Sequence, residues 1–281
     1  MFLRFLKAVG WRYPKSIFTV LGAFWLVIDP AIGLTGKSIN LKYWQLLLFS
    51  AMAGILWMII DGYYISGFFR KSIQIMSNGF DTKIIVEFAD MFCNNGWKAI
   101  AVNDFFDSIV DNKHIAERSV HGNVLKKYWG GNINDWDTQV AEQLKTIDST
   151  TVSRASGKQQ RYDIGSTAAV TTGGNKFLFV ALTHTDINTL QTKADSSDLN
   201  KALRGLLTKA RSVCANEPIN IPLMGSGLAR TGIKSNILVD LILTAVFEET
   251  KFNKISDEIR IVLPTVKMSE INLISIKQNW S

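Results

Sequence analysis

The segment INIPLMGSGLARTG, residues 219–232, decides how this chain is read. Its first five residues form a short apolar run bounded by glycine, which suits a buried strand, and residues 237–247 repeat apolar side chains with helical spacing. Between strand and helix, the backbone N–H groups of Gly225, Ser226 and Gly227 can converge on an anion with a helix N-terminus behind them. Glycine permits that approach because it carries no Cβ, and Arg230 adds a bidentate donor for a diphosphate oxygen. No GK[ST] follows, so this is not a P-loop, and Gly232 is displaced from the last glycine of GxGxxG. Taken alone, GSG between a strand and a helix is more often plain turn chemistry.

Outward from this segment, strand and helix patterns alternate. SIQIMS (72–77) and KIIVEF (83–88), joined by a turn at Asn78-Gly79, read as a hairpin, and WKAIAV (97–102) as a buried strand. KFLFVALT (176–183) and IRIVL (259–263) are further strands. Leu199, Ala202, Leu203, Leu206, Leu207, Ala210 and Val213 form a helical stripe. The polar stretches 148–161 and 185–198 read as surface loops. Strands joined by helices predict an α/β fold with a largely parallel sheet and helices on both faces.

Ligands of such sheets bind beyond the carboxyl ends of the strands. NDFFD (103–107) falls there beside the glycine segment, and the pairing of the two favours a ligand site over plain turn chemistry. Asn103, Asp104 and Asp107 offer donors and acceptors without a second source of cations. They suit a sugar hydroxyl as well as a metal or an acid–base pair. His121, within SVHG (119–122), contacts ligand or is a hydrogen-bonded structural histidine; His114 and His184 read as structural. No nucleophile–base pair can be assembled from spacing, so the pattern argues for binding rather than turnover.

The chain is 281 residues long, with a net charge of +7 and a pI near 9.3. Residues 1–71 hold eight Lys/Arg against two acids, Asp29 and Asp61, leaving 23 basic and 22 acidic residues in the rest. The larger part is therefore nearly neutral, with no electrostatic case for nucleic acid. Cys93 and Cys214 stand alone, which excludes a disulfide framework and a structural zinc site. Residues 16–34 and 43–60 are apolar runs, and the second, without a charge, is long enough to cross a bilayer. A transmembrane hairpin over 1–71, with spans at about 16–34 and 43–65, is expected, followed by a cytosolic domain over 72–281. A cleavable signal peptide is the competing reading of the first run. Pro30 should kink or end the first helix. Basic flanks keep both termini cytoplasmic, and the first eleven residues suit a short interfacial helix. Ser50 and Gly54 have the small-xxx-small spacing that lets helices approach closely.

As a set, EFADMF (87–92), KAIAVNDFFD (98–107), YDIGSTAAV (162–170) and IPLMGSGLAR (221–230) resemble the macro domain, an α/β module that binds ADP-ribose. NDFFD with SVHG and PLMGSGLAR further resembles the divergent macro domain of Thoeris antiphage effectors, in the form with two preceding transmembrane helices. The resemblance implies a receptor in the bacterial inner membrane that binds an ADP-ribose derivative, a histidine conjugate in that form, made by a partner TIR-domain enzyme. Binding would assemble the effector into homo-oligomers that disrupt the bilayer and kill or arrest the cell. It implies no metal, no other cofactor and no catalytic residue. The alternative is a membrane-tethered ADP-ribosyl hydrolase, and a third reading is a passive scaffold. Carried over position by position, Asp90 would accept the adenine amino group and Asn103, with Asp104 and Asp107 beside it, would face the distal ribose. Ser119, His121 and Gly122 would line the distal end. Gly165 would form the turn before a strand, and Met224, Gly225, Ser226, Gly227, Leu228, Ala229 and Arg230 would hold the diphosphate. Ala89 replaces the glycine usual before the acid, and Asn-Ala-Asn has become Asn103-Asp104-Phe105, departures that suit a specialised ligand rather than ordinary hydrolysis.

Overall fold

The structure is a computed structural model describing residues 12–36, 42–67, 69–75, 82–227, 231–268 and 270–280. The interfacial helix expected over residues 1–11 and the turn at Asn78-Gly79 lie outside the described residues. Two compact units emerge, residues 1–70 with 272–275 and residues 71–271 with 276–281.

In the first unit, helix α1 (Arg12–Thr35) packs against α2 (Tyr43–Ile60), which continues into one π-helical turn, Asp61–Ile65. Of the two outcomes expected at Pro30, a kink or an end, the helix does not end there. Pro30 sits one turn and a half from the helix terminus, where its missing N–H removes a single bond. The small residues are used inside the hairpin: a Cβ on Gly54 would stand 2.7 Å from Ile17 Cγ1 and 3.0 Å from its Cα, and Ser16 and Ser50 are buried nearby in sequence. Large apolar side chains point outward, among them Phe18, Leu26 and Val27 on α1 and Leu47, Met52 and Leu56 on α2. Residues 14–34 and 47–65 are long and apolar enough to cross a membrane.

The second unit is built on a sheet with strand order β1-β2-β10-β9-β3-β7-β6. The strands are β1 (Ser72–Ile75), β2 (Lys83–Phe88), β3 (Trp97–Asn103), β6 (Thr167–Thr172), β7 (Asn175–Thr185), β9 (Ile219–Pro222) and β10 (Glu258–Leu263). The five inner strands run parallel, and β1 and β6 close the edges antiparallel. Alternation along β7 shows why helices cover both faces. Phe177, Phe179 and Ala181 join Trp129 of α3 (Val120–Trp129) and Trp136 of α4 (Ile133–Leu144) in one core. Leu178, Val180 and Leu182 face the opposite way, the side of α5 (Ser196–Val213), whose stripe from Leu199 to Ala210 is fully buried. Helix α6 (Ser235–Phe252) packs on α5, and Glu249 joins them through Arg204 at 3.0 Å and Arg211 at 3.1 Å.

Both polar stretches depart from the surface-loop expectation. In the first, β4 (Ser149–Thr151) pairs with β5 (Gln160–Tyr162), and Arg154 between them is only 8% exposed. In the second, β8 (Thr192–Lys193) pairs with β7, and α5 begins at Ser196 under an Asp195 cap. Runs this short and polar carry too little periodicity to be read locally.

Gly165, which does not line the cavity described below, packs tightly against a helix. At φ +100° it presses its backbone onto α5, where its own Cβ would stand 2.8 Å from the Lys201 carbonyl and a Cβ on Gly205 would overlap the Gly165 carbonyl. Gly205→Ala should therefore lower stability by about 1–3 kcal/mol, read as a lower Tm; an unchanged Tm would show that the two backbones are not in contact.

Candidate ligand site

From the centre of the sheet the chain proceeds in opposite directions, β3 to β7 on one side and β9 to β10 on the other. Such a switch leaves a crevice. Here β3 and β9 pair only at Trp97↔Ile219 and Lys98↔Asn220, then part, while β3 stays paired to β7 up to a register shift at Val102/Asn103. A cavity of 290 Å³ occupies the gap, walled by the ends of β3, β7 and β9 and by two loops, near residues 114–121 and 222–227. Its size is at the lower end of small-molecule sites.

The glycine loop is held open by its own hydrogen bonds. Met224 N–H reaches the Pro222 carbonyl at 2.6 Å, Ser226 Oγ donates to Leu223 O at 2.7 Å, and Thr231 Oγ1 donates to Gly225 O at 2.8 Å. Gly225 has φ +81°, and a Cβ there would stand 3.0 Å from Thr231 Cγ2. Met224, Gly225, Ser226 and Gly227 all line the cavity; Leu228, Ala229 and Arg230 lie outside the described residues.

Across the cavity stands the N-terminus of α3. Ser119 caps it, its Oγ accepting from Gly122 N–H at 2.9 Å and donating to Ala116 O at 2.7 Å. Ser119, Val120 and His121 line the cavity, but Gly122 does not. Its Cβ would stand 2.5 Å from Ala116 O, so glycine is needed there for the loop to close on the helix. Arg118, which the spacing did not single out, is exposed on the rim with no ion-pair partner among the described residues. No carboxylate occurs among the described lining residues, and the N-terminus of α3 and the Arg118 guanidinium place positive charge at the wall.

The NDFFD segment overturns the expectation of free carboxylates. Asn103 lines the cavity, but Asp104 and Asp107 are buried behind it and engaged by cations from the β4–β5 segment. Asp107 pairs with Arg154, and Asp104 lies 3.1 Å from Arg161 Nε while accepting Thr185 N–H at 3.0 Å. Burial raises the Asp104 carboxyl above its ordinary range, opposed by Thr185 and Arg161. Phe105 is flanked by both guanidiniums, at 3.9 and 4.7 Å from its ring centre. These acids are structural ion pairs rather than metal ligands or an acid–base pair, and no cluster suited to a metal occurs among the described residues.

The remaining candidates divide. Asp90 is exposed beyond β2, its Oδ1 accepting Phe92 N–H at 2.9 Å, and it is not among the lining residues. His114 lines the cavity, but Asp111 and Ser156 hold its two ring nitrogens, each at 2.9 Å, in keeping with a structural reading. His184 is likewise bonded to Asp198, at 3.1 Å. His121 is 6% exposed against Trp136 and Phe179, and its Nε2 has no hydrogen-bond partner. Burial, aided by the nearby Lys158 ammonium, pushes its imidazole down to about 3, so it is neutral at pH 7.

Residues 84–264 match the family described as Thoeris protein ThsA, Macro domain. The chain belongs to that family. Thoeris protein ThsA of Bacillus amyloliquefaciens (strain Y2) is 26% identical over 244 residues, covering 83% of this chain and 79% of the relative. The fold is that of the macro domains. The solved macrodomain of Oceanobacillus iheyensis with ADP superposes with a TM-score of 0.51 at 12% identity, over 74% of this chain and 95% of that one. A point mutant of the same macrodomain with ADPR gives 0.51 at 12%, over 74% and 97%. In this ThsA-type macro domain, the parting of β3 and β9 coincides with the two loops that form the cavity.

Proposed function

We propose that this protein is a membrane-anchored defence receptor whose macro domain binds an ADP-ribose derivative produced by a TIR-domain enzyme. The observation that carries the reading is the cavity walled by the glycine loop and the capped N-terminus of α3, with no carboxylate among its described lining residues. A glycine loop and a helix N-terminus on one cavity suit a diphosphate, and the family relation supports a role in antiphage defence. Receptor action is favoured over hydrolysis because both acids of NDFFD are held by arginines and no acid occurs among the described lining residues. The apolar outer faces of α1 and α2 suit a bilayer, with the basic flanks keeping both ends on the cytoplasmic side of the inner membrane. Ligand binding then assembles several hairpins into an oligomer that disrupts the membrane and stops growth.

The test is calorimetry of the full chain in detergent with ADP-ribose, with products followed by chromatography. Saturable binding without turnover is expected, weakened several-fold in Arg118→Ala and by added salt. Release of free ADP-ribose from an ADP-ribosylated peptide would favour the hydrolase instead, and absence of binding to ADP-ribose and its conjugates would defeat the reading.

A further inference from the structure

We propose that Arg154, reaching in from the β4–β5 segment, is a positioning residue that orients Asn103 at the cavity wall through Asp107. The inference rests on the ligand reading of the cavity given above, and it concerns how that site is preorganised.

An asparagine amide is nearly symmetric in shape but not in chemistry. Turned one way it presents a donor, turned the other an acceptor. At Asn103 the choice is fixed by one neighbour. Its Nδ2 donates to Asp107 Oδ2 at 2.9 Å, and its Oδ1 accepts the Asp107 backbone N–H at 3.1 Å. A carboxylate oxygen only accepts and an amide N–H only donates, so the reverse orientation would break both bonds. One N–H and one lone pair of Asn103 are left over, and Asn103 lines the cavity.

Asp107 can hold Asn103 only while its own carboxylate is held, and with 1% side-chain exposure water cannot do this. Arg154 Nη2 and Lys158 N–H, the latter at 3.1 Å, both donate to Asp107 Oδ1, leaving Oδ2 for Asn103. Arg154 is itself fixed, its Nε donating to Lys158 O at 2.6 Å and its guanidinium lying 3.9 Å from the centre of the Phe105 ring. The segment can come this close because residue 157 is glycine. At φ +86°, a Cβ there would overlap Arg154 Nη2 and stand 2.8 Å from Asp107 Oδ1. The relay therefore runs from a segment outside the cavity lining to a side chain on its wall, every joint made by a buried charge or a one-directional hydrogen bond.

A double-mutant cycle on the full chain in detergent, with ADP-ribose as the probe, tests this. Asn103→Ala and Arg154→Gln should each weaken binding about tenfold, and the double variant should bind no more weakly than Asn103→Ala alone, because Arg154 acts only through Asn103. Should Arg154→Gln fail to fold, Arg154→Lys retains the charge but not the planar fork, and its smaller loss should likewise vanish once Asn103 is alanine. Losses that multiply, or an Arg154 variant that folds and binds as the wild type does, overturn the inference while leaving the ligand reading intact. A wild-type chain that binds neither ADP-ribose nor its conjugates overturns both.

Discussion

Asp107→Ala should reduce folding stability by about 3–5 kcal/mol, the loss typical of removing one member of a buried ion pair. The side chains of Asp107 and Arg154 are 1% and 0% exposed, so alanine leaves a buried guanidinium with neither its counter-charge nor water. It also removes the acceptor of Asn103 Nδ2 and of Lys158 N–H. A domain of ordinary stability has only about 5–15 kcal/mol in total. Denaturant melts of the full chain should show the loss directly, and a change below about 1 kcal/mol would mean that the pair is not buried as described. A double replacement, Asp107→Leu with Arg154→Met, should regain much of the loss, because it removes both charges together.

His121→Phe should act in the opposite sense on stability while weakening the ligand. The imidazole is buried against Trp136 and Phe179 with Nε2 unpaired, an arrangement that costs about 1–3 kcal/mol unless a ligand supplies the missing bond. Phenylalanine keeps the shape and removes the orphan. The folded imidazole is pushed down to about 3, chiefly by burial, with Lys158 and Asp107 as the charges facing it, whereas the unfolded one titrates near 6.5. Between those values the unfolded chain takes up a proton that the folded chain refuses. Stability from this group is therefore complete above pH 6.5 and falls as pH drops, by about 2 kcal/mol at pH 5. The wild type should lose that increment between pH 8 and pH 5, and His121→Phe should not. Affinity for ADP-ribose should fall about tenfold in the variant, one lost hydrogen bond with its desolvation. A variant that is less stable than the wild type at both pH values, or that binds ADP-ribose equally well, would make His121 a structural histidine after all.

The site became legible in unequal parts. The glycine loop could be read from residues 224–227 because a strand, two glycines and a helix are all local signals, and the cavity is lined by those same residues. The helical stripe of α5 and the apolar runs of α1 and α2 were equally plain, since their periods of 3.6 residues and their lengths are properties of the chain itself. Arg154, Arg161 and Arg118 were not legible. The first two lie 47 and 57 positions from the acids they face, in a segment with no apolar pattern, and the third is a single exposed cation. For the same reason spacing does not show that Arg154 and Arg161 engage Asp107 and Asp104, or that Gly122 and Gly165 serve close backbone packing outside the cavity lining.

Local sequence by itself determined the α/β order of elements, the two apolar helices, the near-neutral charge of the larger unit and the position of the glycine turn that lines the cavity. Each follows from spacing, composition or a missing Cβ, which the chain carries wherever it goes. Only the tertiary structure decided that β3 and β9 part after two residue pairs, that His121 is left neutral and unpaired, and that Asn103 is anchored through Asp107 to Arg154. Those outcomes depend on which groups are denied water together, and burial is a property of the assembled fold rather than of any segment.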